Sequence, residues 1–269
     1  MRLAGYAEPT RASYARTLRD VQEYFHAEAD CLQPHEILEF LAERQKHVGP
    51  STLNINACAL KYYFNVVLGQ PGPVANIPIV RRPEQLGDLL TTAELGRLFT
   101  AAASHKHRAV LALLFGLGLR AGEVGRIRLH DFDRQLRTLT VRQGKGGKDR
   151  VLPYDDGLRQ FLIPYFRTDT PEDYLFTSAT RPAGGGGMSI RGVQYIVRTT
   201  VAAAGITKSV CPHTLRHCYA IHYLNQGGNL VRLKQLLGHA NLTTTLRYLS
   251  YANPELKDIA SPLSILTNA

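Results

Sequence analysis

The chain has 269 residues, 44% of them hydrophobic, and a formal net charge of +10, a length that supports two domains with adequate cores. It holds no apolar run of the roughly 18 residues a membrane helix needs, its opening MRLAGYAEPTRASYARTLRD lacks a secretory leader's apolar stretch, and Cys31, Cys58, Cys211 and Cys218 form no C-x-x-C pair. Membrane insertion, export, a disulfide scaffold and a zinc ribbon are therefore set aside, and a cytoplasmic protein with reduced thiols is expected.

The first segment reads as helices. After Pro9 and Thr10, Tyr14, Leu18, Val21 and Phe25 recur at helical spacing, with Thr10 as the expected N-cap. PHEILEFLAERQ predicts a second helix, and a third follows Gly49-Pro50 with Ser51 as cap and a stripe of Leu53, Ala57, Leu60, Phe64 and Val67. A helical domain over residues 1–70 results. GQPGPVANIPIVRRP, with four prolines and two glycines, predicts an extended linker across 71–87. Thr91 and Glu94 then match a capping box, and HRAVLALLFGLGLR is a buried helix ended by Gly116 and Gly118. LRTLTVRQGKGGKDRVLPY holds β-prone runs at residues 136–141 and 150–152 around a glycine-rich turn, a hairpin signature. RPAGGGGMS leads into a helix of Ile190, Val193, Val197 and Val201; others start near His213, after Asn229, and after Asn241, the last carrying Tyr248 about two turns along.

The charge is uneven: residues 1–85 hold nine Lys/Arg and nine Asp/Glu, whereas 86–269 hold 23 and 13. The excess lies wholly in the second part, where cations can replace counterions on a polyanion such as nucleic acid. A basic enzyme without such a partner would share the composition.

Several residues in that part could carry chemistry. Arg120 follows an apolar helix and two glycines, an edge from which a guanidinium can be aimed inward, although a lone arginine is more often a surface charge. In PHTLRHCYA, His213 and Arg216 share a helix face, and an imidazole beside a guanidinium fork suits a phosphate. His213 and His217 also stand at zinc-ligand spacing, but no glutamate follows His213 and no third ligand lies nearby. In LLGHANLTTTLRYL, His239 precedes Tyr248, which is either an ordinary amphipathic aromatic or a nucleophile, with Tyr251 as internal rival. Lys145 and Lys148 sit at the hairpin tip, either in a solvated turn or reaching a DNA groove. Together these groups match one reaction. A phenolate attacking a phosphodiester needs cations over the non-bridging oxygens and a proton donor for the departing 5′ oxygen, and side chains can supply both without metal.

In this order (Arg120, Lys145, His213-x-x-Arg216, Gly238-His239, Tyr248) the chain resembles the catalytic domain of tyrosine site-specific recombinases, the phage integrase family with its Xer-type and integron-type members. CPHTLRH and LLGHANLTTTLRYL are the most specific stretches, the resemblance spans residues 88–252, and the preceding segment is similar to the family's core-binding, SAM-like domain. The resemblance implies a mainly α fold with a small β-hairpin, arranged as a two-domain DNA clamp. It also implies site-specific cleavage and rejoining through a 3′-phosphotyrosine, with neither metal, ATP nor other cofactor. Tyr248 would be the nucleophile, Arg120 and Arg216 the phosphate clamp, Lys145 (or, less in keeping with the pattern, Lys148) the general acid, His213 and His239 aids to proton transfer and phosphate stabilisation, and Glu123 an orienter of Arg120. Ala121-Gly122 and Cys218 depart from the usual pattern without removing a reacting group.

The implied partners are duplex DNA with short core sites, three further copies in a synaptic tetramer formed from a monomer or dimer, and an accessory directionality protein. Bound to DNA, the protein would be associated with the nucleoid. The arm-binding domain and the long integron-type insertion are not found in the sequence. Residues 253–269, with Leu256, Ile259, Leu263 and Ile265, form a tail that docks on a neighbouring protomer or on its own domain. A type IB topoisomerase would use the same chemistry without exchanging partners, and a non-catalytic DNA-binding protein would not need the six reactive groups.

Overall fold

The computed structural model describes residues 6–70, 74, 77, 87–142, 149–177 and 186–252. Two compact units divide the chain, Met1–Glu84 and Gln85–Ala269.

The first unit is a helical bundle of α1 (Glu8–Phe25), α2 (Pro34–His47) and α3 (Pro50–Tyr62). Its helices start earlier than the cap residues suggested. Ala7 and Gly49, not Thr10 and Ser51, occupy the N-cap positions, and Pro9 and Pro50 fall in the first helical turn. Proline suits that turn because its fixed φ is already helical and its missing N–H would be unpaired there anyway. Val21, Ile37, Phe40, Leu53, Ala57, Leu60 and Phe64 form the core, joined by Val74 and Ile77. Val67 was expected on the same stripe but is 57% exposed. The helix widens to a π-turn over Tyr63–Val67, with Leu68 N–H donating to Tyr63 C=O, and the added residue per turn rotates Val67 off the core face.

The second unit is built round α5 (His105–Gly116), which buries every residue from Ala109 to Leu114 and packs against α7 (Asp156–Asp169), α8 (Ile190–Ala203) and α9 (Pro212–Asn225). α4 (Thr92–Thr100) opens on the expected capping box, in which Thr91 Oγ1 accepts from the Glu94 N–H and the Glu94 carboxylate accepts from the Thr91 N–H. A four-residue helix, α6 (Ala121–Val124), follows α5. The expected hairpin is part of a three-stranded antiparallel sheet: β1 (Phe132–Asp133), β2 (Thr138–Val141) and β3 (Arg150–Pro153), with Leu139 opposite Leu152. Leu139, Val141 and Leu152 point into the core. The hairpin tip, with Lys145 and Lys148, lies outside the described residues, as does the tail 253–269.

α10 (Leu230–Leu237) is capped by Asn229, whose side chain accepts from the Val231 and Arg232 N–H groups, and stops at Gly238 with φ 62°. The last helix departs from expectation. α11 spans only Thr243–Leu246, Leu242 rather than Asn241 precedes it, and Tyr248 sits in the turn that follows. A short helix contributes little by its own hydrogen bonds. What anchors this segment is the burial of Thr245 and Tyr248, each 0% exposed.

Candidate active site

Four separate stretches of chain deliver the polar cluster. Arg120 caps α6, which brings Glu123, β3 brings Arg150, α9 brings His213, Arg216 and His217, and the end of α10 brings His239. Two glycines permit this. Gly118 has φ 61° and a Cβ there would lie 2.4 Å from the Tyr219 ring, while a Cβ on Gly238 would press on Arg150 at 3.2 Å. Only glycine reverses the chain so tightly and lets side chains approach its backbone.

Arg216 is 0% exposed. It is held by main-chain carbonyls: Nη1 donates to Gly118 O at 2.7 Å and Nη2 to Leu237 O at 2.5 Å. Nη2 also lies 3.1 Å from His239 Nε2. An arginine only donates, so His239 Nε2 must accept, which places the imidazole proton on Nδ1, 2.9 Å from Thr245 Oγ1. The threonine run before the tyrosine therefore has a structural use, with Thr245 accepting the proton that Arg216 confines to His239 Nδ1. Burial first, then the charge of Arg120, push Arg216 down to about 9, still cationic at neutral pH.

Glu123 ties the arginines together. Its carboxylate accepts from the Arg120 backbone N–H at 2.8 Å and from Arg120 Nη1 at 2.9 Å. Arg150 grips it through both terminal nitrogens, at 2.9 and 2.8 Å, and Arg216 Nη1 stands 4.0 Å away. Burial opposes ionisation of this side chain, which is 4% exposed, but the bonds and charges of Arg150 and Arg120 prevail and hold the carboxyl at about 2. Arg120, with its side chain 25% exposed, also points Nη2 towards Gly238 O at 3.4 Å.

The histidines are neutral. Burial, then neighbouring groups led by Arg216 for His239 and by His213 for His217, lower both to about 3. His213, the most exposed of the three, is lowered in the same direction by partial burial and by Arg216, Arg247 and Arg120. His213 and His217 do not converge as a ligand pair. Their rings meet edge to face at 4.4 Å, and His217 Nδ1 lies 2.9 Å from the Tyr248 hydroxyl. No group of three or more His, Cys, Asp or Glu side chains among the described residues could hold a metal ion.

Tyr248 is thus at the cluster, not stranded from it. Its ring stacks on His239 at 6.4 Å with a 16° tilt, lies 5.5 Å from the Arg247 guanidinium carbon, and packs among Ala220, Ile221, Leu224, Leu233 and Leu237. Tyr251, the rival, is 37% exposed. Of the sequence-derived site residues, Arg120, His213, Arg216, His239 and Tyr248 come together, while Lys145 lies outside the described residues. Sequence reasoning missed the parts played by Arg150 and His217. The first looks like any strand-opening arginine; the second was weighed only as a metal ligand.

A family model described as Phage integrase family matches residues 82–254, and one described as Phage integrase, N-terminal SAM-like domain matches residues 1–73. A tyrosine recombinase XerA of Pyrococcus furiosus is 33% identical over 237 residues, 87% of this chain and 82% of that protein. A putative integrase/recombinase y4qK of Sinorhizobium fredii is 28% identical over 269 residues, covering 99% and 86%. Among solved structures, the XerH site-specific recombinase bound to a palindromic difH substrate shares the fold, with TM-score 0.75, 21% identity and coverage of 94% of this chain and 79% of that one.

Proposed function

The chain belongs to the phage integrase family and is a tyrosine recombinase, an enzyme of site-specific DNA cleavage and rejoining, and from that premise we propose that Tyr248 is its nucleophile and duplex DNA its substrate. The observation that supports the assignment best is the convergence of Arg120, Arg216 and His239 beside the Tyr248 ring, from segments remote in sequence. Arg120 and Arg216 would neutralise the non-bridging oxygens of the scissile phosphate, and Glu123 with Arg150 would keep the Arg120 fork aimed. The Tyr248 phenol gives up its proton to solvent as its oxygen attacks phosphorus, the bond to the 5′ oxygen breaks, and that oxygen takes a proton from Lys145. His213, held neutral, donates an N–H to a phosphate oxygen, while His239, its own N–H on Thr245, keeps the Arg216 guanidinium in place. The phosphotyrosine conserves the ester bond, so a second 5′ hydroxyl can reverse the attack without ATP.

The XerH relative was solved on its DNA substrate, and the excess of Lys/Arg after residue 85 suits the same partner. Four protomers in a synaptic complex, an accessory directionality protein and a tail exchanged between protomers belong to this proposal. No helix among the described residues is long and apolar enough to cross a membrane. Incubation with a suicide substrate nicked beside the scissile phosphate tests the nucleophile: the unsubstituted protein should form a covalent adduct, unaffected by chelator, and Tyr248→Phe none. Equal trapping by Tyr248→Phe would move the role to Tyr251, and relaxation of supercoiled plasmid lacking a cognate site would favour the topoisomerase reading.

A further inference from the structure

Two of the groups assigned to cleavage are out of reach in this structure: Tyr248 and Arg216 are each 0% exposed. A phosphodiester cannot enter a site whose nucleophile has no accessible surface, so the arrangement is a resting one and the segment carrying Tyr248 must move. The question is what holds it. α11 is four residues long and, among the hydrogen bonds of the described residues, the Tyr248 hydroxyl has one partner, His217 Nδ1 at 2.9 Å. His217 sits one turn after His213 on α9, a helix fixed by the buried Leu215, Arg216, Cys218 and Ala220, so its ring is presented from a rigid base.

We propose that His217 is a positioning residue, the acceptor that keeps the nucleophile docked in its buried place until DNA displaces it. This inference rests on the reading of Tyr248 as nucleophile. A phenol has one proton to donate, and a neutral imidazole presents one lone pair, so the pair is satisfied without proton transfer. Burial, together with His213, Arg247, Arg216 and His239, lowers the imidazole to about 3, which suits an acceptor and ill suits a base taking a phenol's proton. Thr245 holds His239, whose ring lies 6.4 Å from that of Tyr248, so the two histidines divide the work: one is bound to the arginine clamp, the other to the phenol.

Tetranitromethane nitration of the full chain without DNA, read by peptide mass spectrometry, measures release of the phenol directly. A net neutral hydrogen bond corresponds to roughly a 2- to 10-fold difference in population. His217→Phe, which keeps a ring and removes the acceptor, should nitrate Tyr248 about 2- to 10-fold faster. Tyr165, buried and donating to Leu175 O at 2.6 Å, is the internal reference and should not change. His217→Gln retains an acceptor and should nitrate at the rate of the unsubstituted protein. In single-turnover trapping on the suicide substrate, His217→Phe should form its adduct no more slowly than the unsubstituted protein. An unchanged Tyr248 rate in His217→Phe, a parallel rise at Tyr165, a raised Tyr248 rate in His217→Gln, or loss of the adduct in His217→Phe would each overturn the proposal. Because nitration needs no cleavage, its failure leaves the nucleophile assignment standing, and failure of Tyr248→Phe to abolish trapping leaves the nitration result standing.

Discussion

The two units bury different kinds of matter. Among the described residues, the first hides only two polar side chains, Thr17 and Asn56, which bond to each other at 3.0 Å, and its ion pairs, such as Arg44 with Asp20, stay at the surface. Among the described residues, the second hides a guanidinium and two carboxylates, Arg216, Glu123 and Asp131, together with Thr200, Thr214 and Thr245. A charge taken out of water destabilises a fold unless it is paired and hydrogen-bonded, and even then a well-packed apolar group of the same size does as well or better. The first unit therefore shows what stability alone selects in this chain, and the second shows what is kept despite it. Two of its three buried charges, Arg216 and Glu123, lie in the candidate site, and the third, Asp131, pairs with Arg142 outside it.

Removing Arg216 would sharpen that contrast most. Arg216→Ala should slow cleavage by roughly 10²- to 10³-fold, the loss expected when one donor to a developing charge is deleted, while a gel-shift assay should still find DNA bound, since affinity is spread over many phosphate contacts. Equal loss of binding and cleavage would make Arg216 a general DNA contact.

Acid should come next in size. Glu123 titrates at about 2 in the folded chain against 4.5 when free. Its folded value is depressed, so its stabilisation is complete above pH 4.5 and is lost as pH falls towards 2, an effect on the order of 3 kcal/mol. His217 and His239, lowered from 6.5 to about 3, act in the same sense over a higher window: their contribution is whole above pH 6.5 and fades as pH falls through the folded value. Hydrogen exchange of the α5 amides should thus accelerate as pH drops from 6.5, beyond the intrinsic pH dependence of exchange. Glu123→Gln should be less stable at pH 7, because it leaves its arginines uncompensated, and should show a flatter acid limb below pH 4.5. A variant with the unsubstituted acid limb would remove Glu123 from the account.

The smallest effect belongs to the first unit. Ile37→Val, at a fully buried site, should cost about 1 kcal/mol of stability with no change in the rate of adduct formation once DNA is bound. A change in that rate would mean the apolar core does more than hold its own helices.

Much of this was legible in the sequence because periodicity and caps act locally. The stripes that hold Val21 in α1 and Leu53, Ala57 and Leu60 in α3, the Thr91–Glu94 box and the Asn229 cap all depend on neighbours within a turn or two, and all are found. α7 is missing from the sequence reading because Pro164 interrupts its middle, yet burial of Leu158, Leu162 and Tyr165 sustains it. β1 escaped because two residues carry no pattern. At the site, helical spacing paired His213 with Arg216 on a phosphate and the family resemblance added Arg120 and His239, but the grip of Arg150 on Glu123 joins a strand to a helix 27 residues away and no local rule anticipates it. The length of α11 was misjudged for a related reason. Asn241 promised a cap and a helix running on to Tyr248, whereas burial of Tyr248 against α9 and α10 decides where the chain turns.

The nucleophile can be identified chemically. Trapped protein–DNA adduct, digested with protease and nuclease and sequenced by mass spectrometry, should carry its residual nucleotide on the phenolic oxygen of Tyr248. A nucleotide found on Tyr251, or on any other side chain, would contradict the account at its centre.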